Sequence, residues 1–494
     1  MTENAINEKA AKTGHPAGGS GGPGGPGGHG GPPKRSTKNN VGLLLGLVVG
    51  VAFWFIPISG LPVEGCHWLA LTLLALIWWA TGALPAPITA AIYLGACVTL
   101  GLCSGKTAFG AWYQGNNAWI TIAAFLIAAG VEGTGLGRRI ALGICSLKFI
   151  KSYKSLIFGI AILEIILALL IPSAFARTFM ILAVVEEICA ANSINEHDTK
   201  ILKYATFALS VPTMTTFLTA EAAINSIVAS ALGGITFVDW FIQIGIPSCA
   251  LVILTAILFM FVFKPNGDTT IKTEVCHESL NALGSLKKSE TKMIVWLIIL
   301  LAFWLCSGPF SLQLNVGTFF ITALMFIPYI GVLKMPDLEK ISLGTLIFVT
   351  CTVAVGNVAQ ETGFAGWLGS LLANIMPTAV ASNAILCVLF VALICMIVHM
   401  FVGSVMATTA VMVPILVALA PSISSVSLAV ILYAGFQVIG SHYLLSMHQA
   451  TLATGQEKAG YSDSMVTKFG LPLTVLVLVM AVIDLGWFTI LGIA

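Results

Sequence analysis

The residues of this chain that could do chemistry are few and stand apart. Arg177, Glu221, His399 and His448 each lie within or beside long apolar runs. A guanidinium can hold a carboxylate or sulfonate through paired hydrogen bonds, or serve as a fixed charge in place of a bound cation. A carboxylate and an imidazole can carry protons. Ser173 and Ser404 matter for another reason. Each sits where an apolar segment reaches a small, polar patch. A helix broken there frees backbone groups and starts a second half-helix, whose positive end faces whatever lies between. Plainer readings stand beside these. Small residues at Ser173 and Ser404 also allow close helix packing. Arg177 equally fits a structural ion pair with Glu164 or Glu221, and Glu221 and His448 fit groups satisfied by hydrogen bonds inside a bundle. His399 and His442 read as structural hydrogen-bonders, Asp484 as facing a neighbouring helix, and Glu186 and Glu187 as solvated.

The elements that must position these residues are set by composition. The 494 residues are 57% hydrophobic and 9% charged, against about 25% charged in a soluble domain. Such a chain takes lipid as its solvent, and an ionisable group at membrane depth is costly enough to be a functional-site candidate by default. The eleven cysteines are scattered, without metal spacing or a CxxC pair, and read as small buried hydrophobes rather than ligands. The net charge of +2 comes with no basic stripe, so no nucleic-acid partner is expected. No metal site and no resident cofactor are expected either; Na+ or H+ enters only as a coupling ion.

Residues 1–40 read as a disordered, Gly/Pro-rich cytoplasmic tail. His15 and His29 within it are more simply solvated filler than metal ligands. Residues 41–263 form a first half, 264–293 a polar cytoplasmic linker, and 294–494 a second half. Candidate spans include 118–131, 155–172, 176–191, 203–232, 238–263, 344–359, 383–402, 405–420 and 425–445. The spans 118–131 and 344–359 each break at a Thr-Gly pair and continue as a short helix, the pattern of a re-entrant hairpin lining an enclosed cavity. Lys34, Arg35 and Lys38, then Arg138, Arg139, Lys148, Lys151 and Lys154, then the lysines of 264–292 all point to the cytoplasmic face. The uncharged stretch 374–383 after the second hairpin points to the opposite face.

The halves also match one another. Glu132-Gly133-Thr134-Gly135 answers Gln360-Glu361-Thr362-Gly363. Pro172-Ser173-Ala174-Phe175-Ala176-Arg177-Thr178 answers Gly403-Ser404-Val405-Met406-Ala407-Thr408-Thr409. Leu218-Thr219-Ala220-Glu221 answers Leu445-Ser446-Met447-His448. The offset is about 228 residues each time. With hairpins of opposite orientation, this is the inverted-repeat logic of secondary transporters.

Over residues 41–494 the chain resembles the divalent-anion:sodium symporter (DASS) family of dicarboxylate, citrate and sulfate transporters. The segments that carry the resemblance are VEGTGLGRRIAL, PSAFART, FLTAEAAINS, ETGFAGWLG and GSVMATTAVMVPI. The resemblance implies Ser-Asn-Thr motifs that hold substrate carboxylates and help to build sodium sites, and a homodimer. Here those motifs are degenerate: Ser173-Ala174-Phe175 and Ser404-Val405-Met406. The later step in each repeat reads Ala220-Glu221 and Met447-His448, and the sodium-lining positions read Leu169 and Met400. Two missing Asn side chains remove four donors and two acceptors from the pocket, while Phe175 and Met406 make it more apolar.

The expectation is an all-α polytopic membrane protein with two inverted repeats, re-entrant hairpins, broken helices and about 11 spans. It would sit in the plasma (inner) membrane and move a small anion (di- or tricarboxylate, sulfate or a related organic anion) by alternating access, as an exchanger or an H+/Na+-coupled symporter. The alternative is a passive anion channel. The candidate substrate residues are Ser173, Ala174, Phe175, Arg177, Glu221, Ser404, Val405, Met406 and His448. Glu221, His448 and Arg177 are the candidates for coupling. No catalytic residue is expected, since no acid or cysteine partners the histidines at ligand spacing.

Overall fold

The apolar runs fold as helices because in lipid a backbone must satisfy its own hydrogen bonds. The computed structural model describes residues 37–110, 117–272 and 274–494, and no strand occurs among them. The tail, with His15, His29, Lys34 and Arg35, lies outside the described residues. Among the described residues, seven helices are long and apolar enough to cross a membrane, or eight if the bent pair Ala118–Thr134 and Leu136–Cys145 counts as one span. Shorter apolar helices stand beside them, Ala86–Thr99, Ala222–Ala231, Leu314–Leu324 and Leu428–Ser441 among them, because several apolar stretches stop early. The stretch 203–232 is not one helix. It is Glu196–Ser210, a 3-10 turn Val211–Thr215, an irregular loop, and then Ala222–Ala231. Pro212 removes a backbone donor there, and the Thr213 and Thr216 hydroxyls bond back to the carbonyls of Ser210 and Thr213. The stretch 425–445 likewise ends as the helix Leu428–Ser441, followed by the turn Ser446–His448 and the helix Ala450–Ala459.

Both Thr-Gly steps do end a helix. Gly135 (φ 79°) and Gly363 (φ 74°) take left-handed backbone, which only glycine adopts without strain. The first step turns the chain by 69°; the second separates Leu343–Glu361 from Phe364–Ile375.

The side chains form two main cores. A smaller one joins the helices Val63–Thr81 and Ala86–Thr99 to Leu343–Glu361. The larger one holds the broken helices of both halves. Leu44, Val48, Val51, Phe55, Ile298, Phe320, Phe401, Val475 and Ile490 are exposed on the outside, the surface a lipid-solvated protein presents.

The segment after residue 263 is fastened to the first half. Asp198, itself fully buried, accepts the N–H groups of Asn266 and Gly267 at 2.9 Å each. The Asn192 side chain accepts from Lys272 N–H at 2.7 Å, and Ile271 N–H reaches the Lys151 carbonyl at 3.1 Å. Arg139 grips Glu290 at 2.8 Å and the Gly284 carbonyl at 3.0 Å. Glu187 is engaged rather than merely solvated: it accepts from the Ser279 hydroxyl and pairs with Arg138 at 3.2 Å. Glu186 pairs with Lys203 at 2.6 Å. The basic loops of the first half and the linker therefore share one face. At Asp198, burial pushes the carboxyl upward, but the hydrogen bonds from Asn266, His197, Asn195 and Gly267 together outweigh it and hold the group below the usual carboxylate range.

Candidate functional site

Two helix breaks lie among the helices that build the larger core. Tyr153–Leu170 ends before Ile171 and Pro172, and Ala174–Ala191 starts after Ser173; Ala384–Val402 ends at Gly403, and Val405–Leu419 starts after Ser404. The serines cap their helices in nearly the same backbone shape, with φ −153° and ψ 115° at Ser173 and φ −144° and ψ 120° at Ser404. Ser173 Oγ accepts from Ala176 N–H and Ser404 Oγ from Ala407 N–H, each at 3.4 Å. Each helix start keeps further N–H groups that no intrahelical carbonyl can take.

The surrounding packing is reciprocal. The helix Ala222–Ala231 of the first half packs on Val405–Leu419 of the second, and Ala450–Ala459 of the second packs on Ala174–Ala191 of the first. Lys458 places its ammonium 4.6 Å from the centre of the Phe179 ring, which also meets Phe175 and Phe207. Loops carrying the matched residues Glu221 and His448 thus lead into helices that cross between halves.

At the first break the polar groups serve one another. Arg177 is fully buried. Its Nη1 donates to the Ile171 carbonyl at 2.9 Å and the Ala220 carbonyl at 2.8 Å, and its Nη2 to Thr213 Oγ1 at 3.2 Å. Glu164, also fully buried, lies 3.6 Å from Arg177 Nε, an ion-pair distance too long for a hydrogen bond. The guanidinium therefore ties the end of the interrupted helix to the loop before Glu221. Glu221 Oε1 accepts from the Ala174 N–H. Ala174 supplies that N–H, and Phe175 lies half-buried one residue on.

At the second break the polar side chains are imidazoles. His448 Nδ1 accepts from the Leu444 and Leu445 N–H groups at 3.1 and 3.3 Å. That assigns the proton to Nε2. His399 Nε2 lies 3.1 Å from the His448 carbonyl. The ring of His442 is 6.0 Å from that of His399 and 6.4 Å from that of His448. His442 is fully buried, and neither ring nitrogen has a hydrogen-bond partner among the described residues. It therefore makes none of the structural hydrogen bonds its sequence context suggests. Sequence reasoning also passed over Thr409, fully buried with an unpartnered hydroxyl; a threonine after the motif at this offset is the signal that could have drawn attention to it. Val405 is buried and Met406 half-buried at the helix start. Asp484 is 2% exposed within its helix Asp463–Ile490.

The structure thus places Ser173, Ala174, Phe175, Arg177 and Glu221 together at one break, and Ser404, Val405, Met406 and His448 at the other. His399 and His442 join the second group. No set of three or more His, Cys, Asp or Glu side chains among the described residues is arranged to hold a metal ion.

Comparison with known proteins gives a consistent result. A family model described as "Sodium:sulfate symporter transmembrane region" matches residues 37–494. The putative malate transporter YflS of Bacillus subtilis (strain 168) is 27% identical over 355 residues, covering 69% of this chain and 73% of that protein. The chloroplastic dicarboxylate transporter 1 of Spinacia oleracea is 27% identical over 348 residues, covering 68% of this chain and 61% of that protein. The citrate/succinate antiporter of Escherichia coli (strain K12) is 24% identical over 426 residues, covering 79% of this chain and 85% of that protein.

Proposed function

We propose, for a chain that belongs to the sodium:sulfate symporter family, a transport cycle in which a small organic anion is held between the two helix breaks. The protein is a membrane-embedded secondary transporter of anions, by exchange or symport, as its family and its dicarboxylate-, citrate- and malate-transporting relatives indicate. The observation that carries the siting is the paired serine caps: two helix starts of almost identical backbone conformation, each following an interrupted helix. Helix starts of this kind attract anions without a buried lysine.

In this reading residues 41–263 and 294–494 are two halves with inverted topology joined by 264–293. The reciprocal packing of Ala222–Ala231 and Ala450–Ala459 across the halves supports it. Alternating access moves the two breaks against a scaffold that includes the smaller core. The N-terminus and the linker lie in the cytoplasm, the membrane is the plasma membrane, about 11 segments cross or enter it, and two copies associate. Exchange is preferred as the coupling mode, followed by protons and then sodium. The sodium-lining positions of the family read Leu169 and Met400 here, neither of which offers a hard oxygen ligand from its side chain.

Uptake by purified protein in liposomes, with a panel of carboxylates and sulfate and with each ion gradient imposed or absent, tests the proposal. Saturable uptake stimulated by anion on the opposite side is expected. Unsaturable uptake of every anion would favour a passive pore. Ser173→Ala combined with Ser404→Ala should abolish the stabilisation that the transported anion gives in a thermal-shift assay.

A further inference from the structure

Away from both breaks, three buried polar groups stand without partners on two facing helices. Leu428–Ser441 and Asp463–Ile490 pack on each other. They run antiparallel: the Ser427 hydroxyl donates to the Ile493 carbonyl, and the Tyr433 and Phe488 rings meet at 5.7 Å. Residues four apart share a helix face, so one turn on from that ring pair Gln437 comes opposite Asp484. Each is 2% exposed, and Gln437 is the polar neighbour of the carboxyl. Ser441, fully buried, follows one turn later on the face of Gln437. Asp484 Oδ2, Gln437 Nε2 and Ser441 Oγ have no hydrogen-bond partner among the described residues.

The helices packed on Asp463–Ile490 bring no counter-charge. Their titratable groups are Asp239 and Cys249 from Phe237–Val262, Cys387, Cys395 and His399 from Ala384–Val402, and Tyr433 from Leu428–Ser441. None is a lysine or an arginine. On its own helix Asp463 adds another acid, and Lys468 stands about 24 Å back along the axis. An unpaired carboxylate in such surroundings is costly. A proton removes the charge and supplies an O–H for the Gln437 amide oxygen, which a flip of the amide brings into place of the nitrogen. The site also touches the second break through the chain. Ser441 ends its helix, whose negative end disfavours an ionised carboxylate nearby. Next comes His442, whose ring lies 6.0 Å from that of His399, in the last turn before Gly403. An anion held at that break adds like charge in a low-dielectric setting and so favours the protonated carboxyl. By linkage the proton favours the anion by the same factor.

We propose, on the reading that an anion is held at the helix breaks, that Asp484, Gln437 and Ser441 form a proton-binding site that loads together with the anion. The carboxylate of Asp484 takes a proton from solution on the side where the anion enters and returns it on the side where the anion leaves. The proton accompanies the anion in exchange as in symport.

The test uses the full-length protein in liposomes that enclose a pH-sensitive dye, with succinate, malate and sulfate as cargoes and choline in place of sodium. An acidic exterior should raise wild-type uptake about fivefold or more over uptake at equal pH, and the interior should acidify as the anion enters. Asp484→Asn holds the neutral form in nearly the same shape, and should lose both the stimulation and the proton movement. Gln437→Leu keeps the carboxyl but not its neighbour, and should move the pH of half-maximal stimulation by about half a unit or more. Stimulation that persists in Asp484→Asn overturns the inference and leaves the anion-site reading intact, as does wild-type uptake without proton movement. Stimulation that needs sodium and disappears in Asp484→Asn also overturns it, by giving the three groups to a sodium ion. Should Asp484→Asn not fold, an unmoved midpoint in Gln437→Leu overturns it. If wild type neither binds nor carries any of the anions, the reading of the breaks as an anion site fails, and this inference fails with it.

Discussion

The helix that begins at Ala174 receives a carboxylate from its own chain, while the matched helix that begins at Val405 receives, among the described residues, only the serine beside it. The same contrast runs through the neighbouring positions. Arg177 in the first half stands where Thr408 stands in the second; Arg177 bridges two carbonyls and a threonine, whereas the Thr408 hydroxyl bonds only to the Ser404 carbonyl at 2.8 Å. Glu221 takes the positive end of one broken helix, and His399, in the last turn of the other, faces the His448 carbonyl. Two breaks with a common backbone design therefore carry opposite chemistry. One is closed by paired charge; the other is lined by neutral, partly unsatisfied rings.

The strongest way to break this comparison is to remove its one buried cation. Arg177→Ala leaves Glu164 and Glu221 without their counter-charge and frees the Ile171 and Ala220 carbonyls. The expected loss is about 3–5 kcal/mol, read as a fall in melting temperature and in monodisperse yield from detergent. Thr408→Ala at the matched position should cost only about 1 kcal/mol, since one local hydrogen bond is lost. Adding Glu164→Gln to Arg177→Ala should recover part of the loss. If the two single variants melt alike, the first break is not held by charge.

A second contrast concerns the crossing helices. Gly455 matches Val228, but a Cβ at Gly455 would lie 2.3 Å from Cε1 of Phe207, a fully buried ring wedged against Phe179 and Tyr461. Gly455→Val should therefore cost about 3 kcal/mol through overpacking. Val228→Gly, which empties a buried site, should also destabilise, so each helix tolerates only its own residue. Equal stability of Gly455→Val and wild type in a thermal melt would show that the two crossing contacts are interchangeable.

The positions of both breaks could be read from the sequence, because a serine after a long apolar run and a Thr-Gly step are local signals with local causes. Ser173, Ser404, Gly135 and Gly363 all sit where a helix stops or starts. The lengths of the helices around the loops were harder to see. Residues 203–232 look continuous in hydropathy, yet Thr213 and Thr216 bond back to the chain and Pro212 interrupts it. What each polar side chain touches was legible only in part: the pairing of Arg177 with Glu164 was open to the sequence, the other partners were not. That Arg177 would donate to the Ala220 carbonyl, that Glu221 would meet Ala174, and that His442 would find no hydrogen-bond partner among the described residues depend on groups tens of residues away in sequence.

A control for these comparisons lies outside the bundle. Asp198 clamps the linker through charge-assisted hydrogen bonds, and its carboxyl is held below its ordinary value of 3.8. The stability it contributes is present in full above that ordinary value and disappears as pH falls through the lower folded value. Asp198→Asn should cost about 1.5 kcal/mol near neutral pH, and the linker of wild type should exchange its amides faster only below the usual carboxylate range. An acid-induced loss of linker protection that begins near pH 6 would point to a group other than Asp198.

The smallest effects on stability give the sharpest reading of the two breaks. Ser173→Ala and Ser404→Ala each remove one cap, and the two caps have the same geometry, so each should lower stability by about 1 kcal/mol. Their effects on transport should differ. Glu221 already serves the first helix start, so loss of the Ser173 hydroxyl leaves that end partly satisfied. Loss of the Ser404 hydroxyl leaves a helix start that no carboxylate among the described residues is seen to serve. Ser404→Ala should therefore raise the concentration for half-maximal uptake several-fold more than Ser173→Ala does, at matched melting temperature. In a Glu221→Gly background the gap should close, because neither helix start then receives a carboxylate from the chain. A gap that persists there would mean that the asymmetry between the breaks comes from the imidazoles around Ser404 and not from the carboxylate opposite.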